Sequence, residues 1–313
     1  MALTYDQVSG LTHEIINESS SDVIFDSNPL LKHLLAKGKV VEGGGSKIRL
    51  PISYAKIAAV GNFTRYSLLD TNPTATESAA EWNWKYTYGQ MIVSKIELAE
   101  NEGKHAAVNL LKAKLRNAML SLEDNIGTQI YSTNGDGDSG INGLRQTVKA
   151  SGTCGLISSS DVATWASDID ASSATLTIAL MEQAFLDASI GMDEPDIIVT
   201  TKTVFKKYYD LLQANQRFGP GETLSAGANF LLFNGRPVFH DSHCPGTPAT
   251  GDNHMFFLNS RWLYFYMNKN MNMEIEKVAS PASQAIMVQR ILLGANLVTD
   301  NRRMHSAFTV LNH

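Results

Sequence analysis

Only two cysteines, Cys154 and Cys244, occur in the 313 residues. They lie far apart, and the start "MALTYDQVSG" has no basic stretch leading into an apolar one, so no secretory signal is evident and a disulfide framework is not expected. Long apolar runs are missing as well: "FLLF" and "RWLYFYM" fall far short of the roughly 20 residues that a membrane helix needs. Basic excess is absent. Lys and Arg number 26 against 31 Asp and Glu, a net charge of −5, so no global positive field is available to grip a nucleic acid backbone by counterion release. Catalytic signatures are scarce too. There is no G-x-S-x-G, no H-E-x-x-H and no Rossmann fingerprint, and "GGGSK" at 43–47 lacks the leading glycine and the Ser/Thr of a phosphate loop. What remains is ordinary globular composition, 43% hydrophobic and 18% charged, enough for one large domain or two smaller ones. The balance shifts toward a structural role.

Three stretches invite a chemical reading and fail it on residue type. In "STNGDGDSGING" (132–143) the alternating Asn134, Asp136 and Asp138 resemble the start of a calcium loop. With Asn134 at position 1, however, the required glycine and bidentate glutamate are replaced by Ser139 and Arg145, and a cation at the last position repels the ion. "GDSG" at 137–140 matches the surroundings of a serine-protease nucleophile, but the upstream histidines His13, His33 and His105 have no triad context. A Gly/Asp turn leaving a helix is the plainer reading. His240, His243, Cys244 and His254 offer imidazole and thiolate donors for zinc, the basis of a distant alternative as a zinc-dependent hydrolase. Their spacing, H-x2-H-C-x9-H, matches no usual zinc pattern, and a polar turn is expected there. No cofactor or metal is expected.

The periodicities give the organisation. Residues 3 to 20 read as a short amphipathic helix followed by a polar arm. "KIRLPISY" alternates Ile48, Leu50 and Ile52 with polar residues, a strand whose proline favours an edge. After a connection of about 25 residues, "EWNWKYTYGQMIVSKIEL" places Trp82, Trp84, Tyr86 and Tyr88 on one face and Asn83, Lys85 and Thr87 on the other. An aromatic face on so long a ribbon suits an interface with another molecule; the alternative is that it lies on the chain's own core. From Glu97 to about Tyr131 the apolar positions Leu111, Leu115, Ala118, Leu122, Ile126 and Ile130 recur at steps of three and four, a long helix beginning near Lys104. Further helices are expected in "TLTIALMEQAFLDASIG", closed by Gly191, and in "TKTVFKKYYDLLQANQ", capped by Thr201. "PDIIVT" reads as a buried strand, "NFLLFNGRPVFHD" as a hairpin around Asn234-Gly235, and the chain from "MFFLN" onward as mostly β. The class is α+β.

This order resembles the major capsid (coat) proteins of tailed bacteriophages, the Hong Kong 97-type fold. "WNWKYTYGQMIVSKIELAENEG" running into a long helix is similar to that family's extended loop entering its spine helix. "DIIVTTKTVFKKYYDLL" resembles its axial-domain strand and helix. "LLFNGRPVFHDSHCPG" resembles its G-x-P-V … P-x-G segment at Gly235, Pro237, Val238, Pro245 and Gly246, and "NRRMHSAFTVL" its closing strand at Arg303, Ala307 and Phe308. The resemblance implies an N-terminal arm (1–45), an extended loop (46–96), a peripheral domain with the spine helix (97–139 plus 256–313) and an axial domain (140–255). It implies subunit contacts from Arg49, Phe63, Arg65, Tyr66, Trp82, Trp84 and Tyr86, and an axial tip at Arg217, Phe218, Gly219 and Glu222. The partners it implies are other copies of the chain, as pentamers and hexamers of an icosahedral shell, with portal and scaffolding proteins; about 45 residues precede the loop, so scaffolding is expected from a separate protein. Double-stranded DNA would be enclosed without sequence-specific binding and no membrane is involved; the shell would assemble in the host bacterial cytoplasm and persist in the virion. An encapsulin-like compartment is the alternative on the same fold. Some relatives cross-link a loop lysine to a neighbour's asparagine; Lys47, Lys56 and Lys85 are available for this, and nothing singles out a pair.

Overall fold

The computed structural model describes residues 28 to 312 except 58, 67, 70, 71, 73, 74, 101 to 103, 173, 216 to 230, 247 to 252, 277, 278 and 280 to 283. The helix expected at 3 to 20 lies outside the described residues. The first described element is α1 (Pro29–Ala36), which starts with proline at its first turn and buries Leu30, Leu31 and Leu34. It stops at Gly38, whose φ of +66° lets Gly38 and Lys39 return their N–H groups to Leu35 and Leu34, so the last carbonyls of the helix are satisfied. Then follow β1 (Val40–Gly43), β2 (Lys47–Ser53), β3 (Glu77–Asn83), β4 (Lys85–Ser94), the short α2 (Lys95–Glu100) and α3 (Lys104–Ile130). At 27 residues α3 is about 40 Å long. Leu115, Leu122, Ile126 and Ile130 are buried along it, the stripe expected from their spacing.

After α3 the chain passes through a one-turn α4 (Leu144–Thr147) and four short strands, β5 (Thr153–Cys154), β6 (Ile157–Ser158), β7 (Asp168–Asp170) and β8 (Ala174–Thr175). Next come α5 (Ile178–Asp187), β9 (Ile197–Thr200), α6 (Lys202–Asn215), β10 (Leu231–Phe233) and β11 (Arg236–His240). Thr177 and Thr201 cap the two helices through their side-chain oxygens. Gly191 does not close α5 as expected: the helix ends at Asp187, and Gly191 supplies a left-handed turn beyond it. The remaining strands are β12 (Asn253–Leu258), β13 (Leu263–Asn268), β14 (Glu274–Ile275), β15 (Ile286–Thr299) and β16 (Ser306–Asn312).

Two large sheets organise these elements. In the first, β15 pairs along one edge with β4, from Ile286 opposite Ser94 to Ala295 opposite Lys85, and along the other edge with β13 and β14; β1 adds to β13 in parallel. The second runs β10-β11-β9-β12-β16-β7, with β8 also on β16. The C-terminal stretch 256–313, expected to lie wholly with the long helix, is therefore divided. β13 to β15 join β4, while β16 crosses into the other sheet because Phe308, Ala307 and Ser306 pair with Met255, Phe256 and Phe257 of β12.

The central strands of the second sheet, β9 and β12, are buried on both faces, so they carry the unbroken apolar runs "IIV" and "MFFL". Ile197, Val199, Phe256, Leu258 and Ala307 face a core shared with α1, α3 and the first sheet. Ile198, Val238, Met255, Phe257 and Phe308 face α5 and α6. Leu311 joins Phe308 on that second face despite its odd spacing, because a bulge between Asn253 and Met255 sets one extra residue into β16. Complete burial of an aliphatic side chain such as Leu34 contributes roughly 1.5–3 kcal/mol, and these two cores supply most of the apolar burial.

Candidate functional site

β2 and β3 form a separate two-stranded ribbon, from Lys47 opposite Asn83 to Ser53 opposite Glu77. Across it Lys47 Nζ and Arg49 Nε each reach one oxygen of Glu81, at 3.0 and 2.8 Å, and the hydrogen bond from Lys47 is the chief reason that this half-buried carboxyl sits below its ordinary pKa. Beyond Ser53 the chain makes the long connection to Glu77, and there the apolar residues lose contact with the rest of the molecule. Phe63, Tyr66 and Leu68 are 72%, 91% and 100% exposed, and Ile57, Val60 and Leu69 are exposed with them. Arg65 is exposed beside them. Six large apolar side chains exposed on one segment exceed the scattered exposure normal for a monomer.

The tryptophans behave differently. Trp82 and Trp84, expected at a subunit contact, are almost fully buried with Ile48, Ile52, Ala80, Cys154, Trp165 and Val298 of the same chain. The indole N–H of Trp84 donates to the Gly45 carbonyl at 2.9 Å, and that of Trp165 to Cys154 at 3.0 Å. Gly155 holds φ at +60° under Trp82, where a Cβ would stand 2.6 Å from the indole ring. Burial pushes the Cys154 thiol up to about 11, which makes it a packing residue rather than a nucleophile. The aromatic alternation does not continue as one face. Trp84 lies between β3 and β4, and the interior side switches there, so Lys85 and Thr87 point inward while Tyr86 and Tyr88 point out, 58% and 64% exposed. Tyr86 covers Gly294, and Tyr88 borders a groove of about 430 Å³ between β4 and α3 that is also lined by Lys114, Asn117 and Asn125.

Lys85 explains the turn at 132–143. Its buried ammonium donates to the carbonyls of Gly135 at 3.2 Å, of Asp136 at 2.9 Å and of Asp138. An amine thus occupies the place where the sequence pattern suggested an ion. The Asp side chains are committed elsewhere: Asp136 accepts from Asn142 Nδ2 and Gly155 N at 2.7 and 2.8 Å, and Asp138 from Gly135 N at 2.7 Å. Burial draws the pKa of Lys85 below the usual lysine value, opposed by the charges of Asp136 and Asp138. With its amine enclosed, Lys85 is withdrawn from the lysines open to cross-linking, and Lys47 is paired with Glu81. Arg302, not the exposed Arg303 singled out from the sequence, is the buried arginine among the described residues. It donates to the carbonyls of Gln146, Thr147, Lys149, Gly152 and Trp165 at 2.9–3.3 Å, holding the segment that covers Trp82. Neither role had a sequence signal beyond the residue type.

The four candidate zinc donors do not converge. His240 packs on Phe205, with ring centroids 5.0 Å apart, and His254 stacks on Phe256. Cys244 is buried with its thiol pKa raised by desolvation. His243 bridges Asp241 and Asp124, its Nδ1 and Nε2 lying 3.1 and 3.0 Å from their carboxylates. Among the described residues no group of three or more His, Cys, Asp or Glu side chains is placed to hold a metal ion. Arg217, Phe218, Gly219 and Glu222 lie outside the described residues.

No protein-family model matches the chain, and no curated protein matches it in sequence. Solved structures do match over nearly its whole length. The capsid asymmetric unit of cyanophage A-1(L) superposes with a TM-score of 0.68 at 17% identity, over 88% of this chain and 91% of that one. The capsid of a native GTA particle gives 0.63 at 11%, over 87% and 88%. The holo-SrpI encapsulin complex of Synechococcus elongatus gives 0.60 at 11%, over 89% and 87%. The chain has the Hong Kong 97-type fold. As a Hong Kong 97-type chain it carries a long helix, α3, against one sheet, a second sheet flanked by α5 and α6, and a ribbon extending from the first.

Proposed function

We propose that this chain is the repeating subunit of a closed icosahedral shell, the major capsid protein enclosing the double-stranded DNA of a tailed phage. The observation that carries the reading is the match, along nearly the whole chain, to proteins whose structures are those of particle shells. The ribbon's apolar tip adds independent support: a surface exposed in one copy becomes useful when repeated contacts bury it. In this reading residues 54–76 lie across a neighbouring subunit, with Phe63, Arg65 and Tyr66 in the contact and Arg49 and Tyr86 at its margin, while Trp82 and Trp84 fix the base of the ribbon from within. α3 with the first sheet forms the peripheral domain and the second sheet the axial one. Its partners are further copies in pentamers and hexamers, with separate scaffolding and portal proteins. The net negative charge suits a wall that must not hold packed DNA tightly. Such a role needs no catalytic group and no cofactor.

A cargo compartment is the second reading, favoured by the encapsulin among the matched structures. Expression in bacteria and nuclease-protection analysis of purified particles separates the two: protected DNA in particles assembled with the neighbouring packaging genes supports the capsid, and particles that carry one co-encoded protein instead support the compartment.

A further inference from the structure

Three Asn-Gly pairs occur in the sequence, at 134–135, 142–143 and 234–235. An asparagine before glycine can lose its side-chain amide without an enzyme. The glycine N, after giving up its proton to base, bonds to the asparagine Cγ; Nδ2 leaves as ammonia, and water opens the resulting succinimide at either carbonyl to give aspartate or isoaspartate. The step requires an unengaged glycine N–H, a side chain able to turn onto it, and access for water.

The structure separates the three. Gly135 N is bound to Asp138 Oδ2 at 2.7 Å, and the Asn134 amide packs against Gly140. Asn142 is 2% exposed, its Nδ2 donates to Asp136 Oδ1 at 2.7 Å, and Gly143 N donates to the Asn134 carbonyl at 2.9 Å. Gly143 is also wedged against the Ser132 carbonyl, so that peptide cannot turn. Asn234 and Gly235 occupy the tip of the β10–β11 hairpin, both exposed, with φ of 48° and 75°. Among the described residues no acceptor meets Gly235 N–H. One exposed hydrogen bond, Asn234 Nδ2 to Glu182 Oε2 at 2.8 Å, restrains the amide.

We propose that Asn234 is a site of spontaneous deamidation through a succinimide, and that of the three pairs it alone reacts in the folded chain. The aspartate product sets a carboxylate beside Glu182. The isoaspartate product adds a methylene to a two-residue loop that pairs Phe233 with Arg236, loosening the edge of the second sheet as the protein ages. The inference is independent of the shell reading.

The test is peptide mapping by mass spectrometry, with fragmentation that distinguishes aspartate from isoaspartate, on full-length protein held at mildly alkaline pH, folded in one sample and unfolded in urea in the other. Loss of the amide at Asn234 alone in the folded sample, and at all three asparagines in urea, is expected. Conversion of Asn134 or Asn142 as fast as Asn234 in the folded sample would overturn the proposal, as would an intact Asn234 once the urea sample has reacted.

Discussion

Lys85 stabilises a turn by filling it, and the cost of removing its charge follows from the carbonyls it serves. Replacing it with methionine strands three buried carbonyls, so Lys85→Met should lower unfolding stability by about 3 kcal/mol in urea titrations. Gly155→Ala places a methyl into the Trp82 ring at a positive φ and should cost about 2 kcal/mol or more, with the loss in Trp82 packing visible by near-ultraviolet circular dichroism. Two histidines pull the pH response in opposite directions, and Asp300, whose carboxyl is raised to about 6 by burial, offsets part of the acid-side effect of His305. For His243, burial lowers the pKa, but hydrogen bonds to Asp124 and Asp241 outweigh it and leave the value above the ordinary 6.5. Its contribution is therefore complete below 6.5 and is lost as pH rises through the folded value. Burial pushes His305 down to about 3, so its contribution is complete above 6.5 and falls away as pH drops toward 3. Urea midpoints measured from about pH 4 to about pH 9 should pass through a maximum close to neutrality, and Asp124→Asn should flatten the alkaline side only. These roles were hidden in the sequence because each depends on what long-range folding brings to the residue: Asp124 lies on α3, while His243 follows β11.

The elements themselves were far more legible. Period-2 alternation located β2 and, from Glu81 onward, the end of β3 and β4, although β3 begins four residues earlier, at Glu77; the Asn-Gly pair located the β10–β11 turn with both residues at positive φ, and apolar spacing located α3 to within a few residues of its ends. What alternation could not give was the change of side at Trp84, where the chain leaves the ribbon to pair with β15 and two successive residues, Trp84 and Lys85, become buried. A phase shift of one residue exchanges every later side chain between faces. The ribbon tip is separable from the fold: Tyr54 N donates to the Thr76 carbonyl at 3.0 Å, which closes its base. Excising residues 57–74 and rejoining the ends with a short glycine turn should leave a chain that unfolds within a few degrees of the parent. Sedimentation should then show subunits or small oligomers but no closed particles. Particles of normal size from that variant would remove the tip from the subunit contact.

At the scale of the molecule, local pattern ran out at strand order. Nothing in "MHSAFTVL" states that β16 lies between β12 and β7 while β13 and β15, immediately before it, belong to the other sheet. Pairing partners separated by more than a hundred residues are fixed by the joint packing of two cores, not by the segment's own composition. The general architecture could still be read, because a ribbon, a long helix and two β-rich segments in that order resemble the Hong Kong 97-type family. The central claim is assembly. Electron microscopy of the purified protein, alone and co-expressed with a candidate scaffolding protein, tests it most directly: closed icosahedral particles of uniform diameter are predicted, and nothing larger than small soluble oligomers under every condition would contradict it.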